Sequence, residues 1–347
     1  EYDKHEEVFF ADVKDKTFSN YIQSLQAAFP DKKVTISSAT RDNSILVLTA
    51  RSANHPPEFY LFDTKNNQLS FLLNGRPWLK PELLAETKAI IYKSRDGLDI
   101  HAIITLPKGQ EAKNLPLIML PHGGPHGPRD LLEINPDAKV LAQHGYAVLQ
   151  PNFRGSGGFG REFLQMGYLN WGTSMIDDMT DGVLHLVEQG IVDKSRVCIY
   201  GASYGGYAAL MSAVREPDLY KCAVSFVGMS DLNLMYEYGD TTESQGGLNT
   251  LEMYIGRDKA RLDAQSAIKN LDKLKAPIFI IHGTEDQRVP LIQAEVLRDE
   301  LEKRNHPYEW LVKEKEGHGF YKPENNVERW QKMLAFFDKY IGETEKN

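Results

Sequence analysis

The stretch "RVCIYGASYGGYAALMSAVR" carries no charge from Val197 to Val214 and is closed at both ends by Arg196 and Arg215. Its length approaches that of a membrane-spanning helix. Its contents do not suit one, because Gly201, Gly205 and Gly206, two serines and three tyrosines interrupt the apolar run. A β-branched, apolar first half followed by a glycine-rich turn and an alanine-rich second half reads as strand, turn and helix. Gly201-Ala202-Ser203-Tyr204-Gly205 then has the G-x-S-x-G form at the junction. In that setting the serine sits on a sharp, strained turn that lifts its hydroxyl clear of a sheet. The neighbours must be small, since the helix has to leave close to the strand that delivered it. A glycine-rich helix entry without chemistry is the competing reading, so the rest of the chain has to supply partners.

The surroundings fit a buried parallel sheet. After Pro81 the segment "AIIYKSRDGLDIHAIITLP" reads as a hairpin turning at Asp96-Gly97. The apolar runs "LPLIMLP", "YAVLQP", "RVCIYG", "CAVSFV", "PIFIIHG" and "YEWLVK" then alternate with helical patterns at Pro136–His144, Ser174–Gln189, Tyr204–Arg215, Leu291–Arg304 and Val327–Tyr340. Such alternation predicts an α/β fold, a mostly parallel sheet with helices on both faces. Before Pro81 the texture is different. Two runs broken by Asp42-Asn43 and Asn66-Asn67 read as strand-turn-strand units, behind a helical stretch spaced at Tyr21, Leu25 and Phe29. The expected organisation is a β-rich segment over residues 1–80 and a catalytic domain over residues 81–347, which suits a length of 347.

The net charge of −8 removes the electrostatic footprint of a nucleic-acid-binding protein. Cys198 and Cys222 both lie in apolar runs and are read as small buried hydrophobes in preference to a disulfide or a ligand pair. No signal peptide is visible, but the chain begins at Glu1 and not at Met, so the start says little about compartment. A cytoplasmic and a periplasmic location are both open.

An acid and a histidine must follow Ser203 if the turn is that of an α/β-hydrolase, whose order is serine, acid, histidine. "APIFIIHGTEDQRVP" ends a strand and presents Glu285 and Asp286; "YEWLVKEKEGHGF" ends the next and places His318 between two glycines. Of ten histidines only His306 and His318 come after Asp286, and His306 precedes its strand. Asp286 and His318 are therefore the candidates. His318 would take the serine proton and return it to the leaving group, with Asp286 holding the imidazole tautomer and stabilising its cation. The oxyanion needs two donors: the Tyr204 backbone N–H, and one from the early loop in "LIMLPHGGPHG", assigned to Gly124 with Gly123 as fallback.

Other motifs lose their appeal beside this set. Gly155-x-Gly157-x-x-Gly160 has dinucleotide-loop spacing, but no clean helix follows and the unit lies after the HGG strand. Its glycines are expected to let the backbone pass close to the site, with Arg154 as anchor. Asp177, Asp178 and Asp181 fall in the first turns of a helix, where carboxylates suit the dipole. His122 and His126 are expected to shape the oxyanion turn. No metal and no cofactor is expected.

"HGGPHG", "PNFRGSGGFG", "GASYGGYAAL", "HGTEDQRVP" and "GHGF" together resemble the prolyl oligopeptidase family of serine peptidases, and within it the acylaminoacyl-peptidase and dipeptidyl-aminopeptidase branch. The resemblance runs from about Pro81 to Tyr340. It implies an α/β-hydrolase domain capped by an N-terminal β-propeller, and Ser203, Asp286 and His318 as the triad. It further implies that Arg288 holds the substrate carbonyl one residue before the scissile one, and that Val289 and the Tyr204 side chain line the pocket for the residue preceding the cut. Two departures stand out. His122 occupies a place where some members carry a tyrosine hydroxyl, so backbone donors must suffice here. Residues before Pro81 supply about one propeller blade, so the chain is expected to be the C-terminal part of a longer protein whose remaining propeller is a candidate partner. A homo-oligomer is compatible with the sequence. The activity implied is a serine peptidase acting on short peptides, by acylaminoacyl or dipeptidyl release. A carboxylesterase on the same fold is the alternative, and a non-catalytic hydrolase-fold binding module ranks below both. Tyr238–Thr250, "YGDTTESQGGLNT", is expected to be a mobile loop near the substrate.

Overall fold

Two sheets organise the chain in a computed structural model that describes residues 17–342. The first follows helix α1 (Thr17–Ala28) and is an antiparallel meander of β1 (Lys33–Ala39), β2 (Ile45–Ser52), β3 (His55–Asp63) and β4 (Gln68–Asn74). Its outer turns place Asn43 and Asn67 at positive φ (53° and 51°), a conformation asparagine tolerates better than most residues. Leu46 and Leu48 of β2 pack with Leu25 of α1 and Phe62 of β3 in a small core. β4 is largely exposed, with Phe71 at 61% of its full accessibility.

The second sheet has eight strands in the order β12-β11-β10-β9-β7-β8-β6-β5. β5 (Glu86–Lys93) and β6 (Asp99–Leu106) form the hairpin expected at Asp96-Gly97, and β6 runs antiparallel to β8. The remaining pairs are parallel. β7 (Leu115–Met119) leads through α2 (Pro136–Gln143) to β8 (Ala147–Asn152) on one side. The chain then passes through α3 (Arg161–Gln165) and α4 (Ser174–Glu188) to β9 (Val192–Ala202) on the other side of β7. From there α5 (Tyr204–Arg215), β10 (Cys222–Phe226), α6 (Gln245–Ile255), α7 (Lys259–Ala264), β11 (Ile278–Gly283), α8 (Ile292–Lys303), β12 (Tyr308–Lys313) and α9 (Pro323–Ile341) extend outward. The strand order reverses between β7 and β9, and such a switch point opens a crevice at the carboxyl ends of those strands.

Both faces are covered, which is why the strands read as continuous apolar runs. In β9, Val197 and Ile199 join the core formed with α4 and α5, whereas Cys198 and Tyr200 join the core formed with α2 and α9. Each fully buried side chain of this kind is worth about 1.5–3 kcal/mol. This is the α/β-hydrolase architecture the motifs implied, preceded by a small β-rich segment.

The two sheets are stitched at Asn54, in the turn between β2 and β3. Its side chain donates to Thr87 O (3.1 Å) and accepts from Thr87 N (2.9 Å). Lys139 of α2 inserts its ammonium beside them, donating to Ala85 O at 2.6 Å and Thr87 Oγ1 at 2.8 Å. Burial lowers the Lys139 pKa to about 8. Arg51 and Glu133 add an ion pair at 3.1 Å.

Three expectations need correction. Cys198 and Cys222 are buried but not free: they form a disulfide, because β9 and β10 are adjacent and place the two residues in register. Tyr238–Thr250 is not an open loop. Asp240–Glu243 forms a 3-10 turn, and α6 begins at Gln245 with the Ser244 hydroxyl accepting from Gly247 N. The last helix starts four residues earlier than Val327, at Pro323, where proline suits the first turn.

Candidate active site

Ser203 sits between the end of β9 and the start of α5 with φ 58° and ψ −122°. A non-glycine residue held there stores about 1–3 kcal/mol, so its surroundings must leave no alternative. They do so by close approach. A Cβ on Gly205 would lie 2.3 Å from Pro121 O, and one on Gly201 would lie 2.5 Å from the Gly205 carbonyl carbon. The turn, its helix and the loop after β7 are thus packed backbone to backbone. Gly123 completes the contact, its Cβ position lying 3.2 Å from Ala202 O and 3.4 Å from Ser203 Cβ.

The Tyr204 N–H opens α5 and belongs to the first-turn donors that a helix leaves without internal acceptors. Gly124 follows Gly123 at φ 118° and precedes a cis bond to Pro125. His122 braces this loop. The Gly123 carbonyl can only accept, so His122 Nδ1 donates to it (2.8 Å) and Nε2 accepts from the Ser156 hydroxyl (2.8 Å), which is shared with Phe153 O (2.7 Å). The imidazole stacks on Phe153, and burial drops its pKa to about 4. His126 is held in the same way. Trp171 Nε1 donates to its Nε2 (3.0 Å), its Nδ1 donates to Gly155 O (3.1 Å), and burial again lowers the pKa to about 4.

The Gly155–Gly160 loop therefore serves the HGG loop and no phosphate contact is needed to explain it. A Cβ on Gly157 would fall 1.8 Å from Gly127 O. Arg154 anchors the loop through two bonds to Asp178 (2.9 and 2.7 Å) and an ion pair with Asp96 (2.8 Å). Asp178 is fully buried, and burial raises its pKa against the pull of Arg154. Asp177 and Asp181 are taken up by Arg95, and Asp177 also by Arg215. Among the described residues no group of three or more His, Cys, Asp or Glu is arranged to hold a metal ion.

Asp286 follows β11 and His318 follows β12. His318 Nδ1 donates to Asp286 Oδ2 at 2.8 Å. The other oxygen, Oδ1, accepts from Arg288 N (3.0 Å) and Val289 N (2.9 Å). The carboxylate side chain is wholly buried, whereas the His318 side chain keeps 29% exposure. That combination fixes one imidazole tautomer and leaves Nε2 without a proton. The histidine loop reaches the serine turn through Phe320, whose ring packs on Phe226 (5.1 Å), the residue whose carbonyl accepts from Ser203 N (2.9 Å).

Several residues that sequence reasoning passed over support this pair. His282 donates from Nε2 to Val289 O (2.7 Å) and lies 3.5 Å from Asp286 Oδ2; burial lowers its pKa. Glu316 is buried and accepts from Tyr321 N (2.7 Å), Lys322 N (3.1 Å) and Asn325 Nδ2 (2.6 Å), which ties down the loop containing His318. Its position two residues before His318 was the only sequence signal available.

Arg288 is exposed and pairs through Nε with Asp240 at 2.8 Å. The other two pocket residues sit differently. Tyr204 is fully buried, donating its hydroxyl to Trp171 O (2.9 Å), and Val289 is 1% exposed. Their side chains pack into the core of the α4 and α5 face, unlike the exposed Arg288.

Comparison with known proteins agrees with these motifs. A sequence profile of the prolyl oligopeptidase family matches residues 133–344. The chain is 32% identical to dipeptidyl aminopeptidase BIII of Pseudoxanthomonas mexicana, across 90% of this chain and 47% of that protein. It is 30% identical to dipeptidyl peptidase family member 6 of Caenorhabditis elegans, across 95% of this chain and 48% of that protein. Among solved structures, a puromycin-hydrolyzing peptidase of Mycobacterium tuberculosis superposes with a TM-score of 0.78 at 26% identity, covering 88% of this chain and 47% of that one. The chain thus spans about half the length of the relatives it matches.

Proposed function

The chain belongs to the prolyl oligopeptidase family, and on that premise we propose that it is a serine peptidase that releases acylaminoacyl or dipeptidyl units from the amino end of short peptides. The observation that carries this reading is the 2.8 Å bond from His318 Nδ1 to the buried Asp286 carboxylate, at the ends of parallel strands in the same sheet whose β9 ends in the strained turn of Ser203. Nothing in the site requires a metal or a cofactor for the reaction that follows.

Ser203 Oγ attacks the scissile carbonyl while His318 Nε2 takes its proton. The oxyanion that forms accepts from the Tyr204 and Gly124 N–H groups, each such donor contributing roughly 3 kcal/mol of barrier lowering. Collapse breaks the C–N bond, and His318 returns the proton to the departing amine. Water then attacks the serine ester, gives a proton to His318, and the acid leaves as Ser203 recovers its hydroxyl. Asp286 holds the tautomer and stabilises the imidazolium. Arg288, two residues from Asp286 and exposed, donates to the carbonyl one residue before the cut.

The same reading takes residues 1–80 as a portion of a β-propeller and residues 81–347 as the catalytic unit. Among the described residues no helix is long and apolar enough to cross a membrane.

The test is serine-dependent release of p-nitroaniline from an N-acetyl-aminoacyl and a free-amine dipeptidyl anilide. Ser203→Ala is expected to lower kcat/KM on either by roughly 10⁴-fold or more. Unchanged turnover by pure Ser203→Ala protein overturns the proposal. Serine-dependent turnover of esters with none of anilides favours a carboxylesterase instead.

A further inference from the structure

Asp240 and Arg288 form an exposed ion pair beside Asp286, and its geometry matches one end of a peptide. Arg288 is held by its own backbone, since its N–H donates to Asp286 Oδ1 at 3.0 Å. Asp240 is held against it: Asp240 N donates to Gln287 O at 2.8 Å, and a Cβ on Gly239 would lie 3.0 Å from Arg288 O. The side chains meet only through Nε, at 2.8 Å to Asp240 Oδ1 and 3.1 Å to Oδ2. Among the described residues the two terminal nitrogens of the guanidinium make no hydrogen bond. The side chains keep 59% and 32% exposure, so both charges remain reachable from solvent.

The first residue of a peptide with a free amine carries a cationic donor and a carbonyl acceptor one Cα apart, with the nitrogen and carbonyl carbon about 2.5 Å from one another by covalent geometry. The Asp240–Arg288 pair presents the opposite arrangement on the same length scale, an anionic acceptor next to a cationic donor. We propose that the two side chains together form a subsite for the free α-ammonium end of the substrate, with Arg288 on the carbonyl of the first residue and Asp240 on its ammonium. This rests on the peptidase reading above. Because Arg288 there takes the carbonyl one residue before the scissile one, an ammonium on that same residue makes the released acyl unit a dipeptide. An N-acyl substrate offers the same carbonyl but only a neutral amide N–H to Asp240. It forgoes the charge-assisted bond, which is roughly twice as strong as a neutral one.

The experiment uses one dipeptidyl p-nitroanilide with its amine free and the same compound N-acetylated, on the full chain and on Asp240→Asn, which preserves shape and removes charge. The wild type should prefer the free amine. Asp240→Asn should lower kcat/KM for the free amine by about tenfold or more, the scale of a charge-assisted bond, and leave the acetylated compound within about twofold. A second signature concerns pH. The wild-type kcat/KM on the free amine should fall as the substrate ammonium deprotonates near pH 7.7–8.0. That limb should be absent for the acetylated compound and lost in Asp240→Asn, whereas Asp240→Glu should retain it. An equal loss on both compounds means that Asp240 merely steadies Arg288 and overturns the subsite. An unchanged preference or an unchanged pH limb overturns it as well. Absence of serine-dependent turnover on both compounds removes the peptidase reading itself, a failure distinct from an altered ratio.

Discussion

The turn at Ser203 and the loops at Asp286 and His318 do the same job, fixing a side chain at a strand end, by opposite means. At Ser203 the restraint is steric. Gly201, Gly205 and Gly123 let three backbones close on one another, and no charged side chain takes part. At Asp286 and His318 the restraint is electrostatic. Two buried carboxylates, Asp286 and Glu316, are saturated with N–H donors from the loops they organise. The serine side tolerates no added atom, whereas the histidine side tolerates shape change better than loss of charge. At Ser203 a strained conformation is enforced by packing. The proposed acid-base role of His318 would need one proton kept in one place, which donors aimed at a fixed negative charge supply.

The largest effect should come from adding one methyl group on the steric side. Gly205→Ala places a Cβ against the Pro121 carbonyl, with backbone on both sides and no flexible side chain to yield. Overpacking of this kind should cost about 3 kcal/mol of stability, visible as a lower midpoint in thermal or urea unfolding. A wild-type midpoint would break the comparison, because the turn would then have slack that the packing distances deny.

On the electrostatic side the expected effect is smaller and lies in rate more than in folding. Glu316→Gln keeps the volume and one acceptor oxygen but removes the charge from the Tyr321, Lys322 and Asn325 donors. We expect kcat to fall by about tenfold, the value of one charge-assisted hydrogen bond, with KM close to wild type and a fall in the melting midpoint smaller than that of Gly205→Ala. Burial alone would raise the Glu316 pKa, but the Asn325, Tyr321 and Lys322 donors outweigh it and hold the carboxyl below its usual range. Its contribution is therefore present above the ordinary glutamate pKa and lost as pH falls through the folded value. A variant that loses stability as heavily as Gly205→Ala would show that Glu316 supports the fold and not the position of His318.

These two styles of restraint were unequally legible in the sequence. Every strand of the larger sheet was readable as an apolar run, and the serine turn was readable because glycine at fixed spacing is itself the signal. Asp286 and His318 were readable by their chain order. Glu316, His282 and the Asp178–Arg154 pair were not, since a carboxylate two residues from a histidine, or 24 residues from an arginine, looks like any other polar residue until the loops are folded. The Cys198–Cys222 bond was hidden for a related reason: it depends on the register of β9 against β10, which residue pattern does not set. Helix α6 was masked by its own start, where Ser244 caps a turn containing Gly246 and Gly247 that reads as loop chemistry.

The smallest effect tests whether the steric side is as free of titration as it looks. His122 and His126 brace the HGG loop as neutral rings, and burial lowers both pKa values from about 6.5 in the unfolded chain to about 4. Between those values the unfolded chain binds more protons than the folded one, so stability is complete above pH 6.5 and declines as pH falls toward 4. Protonation would also give His122 a second N–H where the Ser156 hydroxyl now donates, and His126 a second N–H facing that of Trp171. Urea unfolding of the wild type from pH 7 to pH 4 should therefore show a slope that a His126→Gln variant reduces. The variant's free energy at pH 7 should be lower, since it loses the aromatic packing on Tyr254 and Tyr168. The same slope in both proteins would place the acid sensitivity elsewhere, with Glu316 as the next group to examine, and would leave the serine turn held by packing alone.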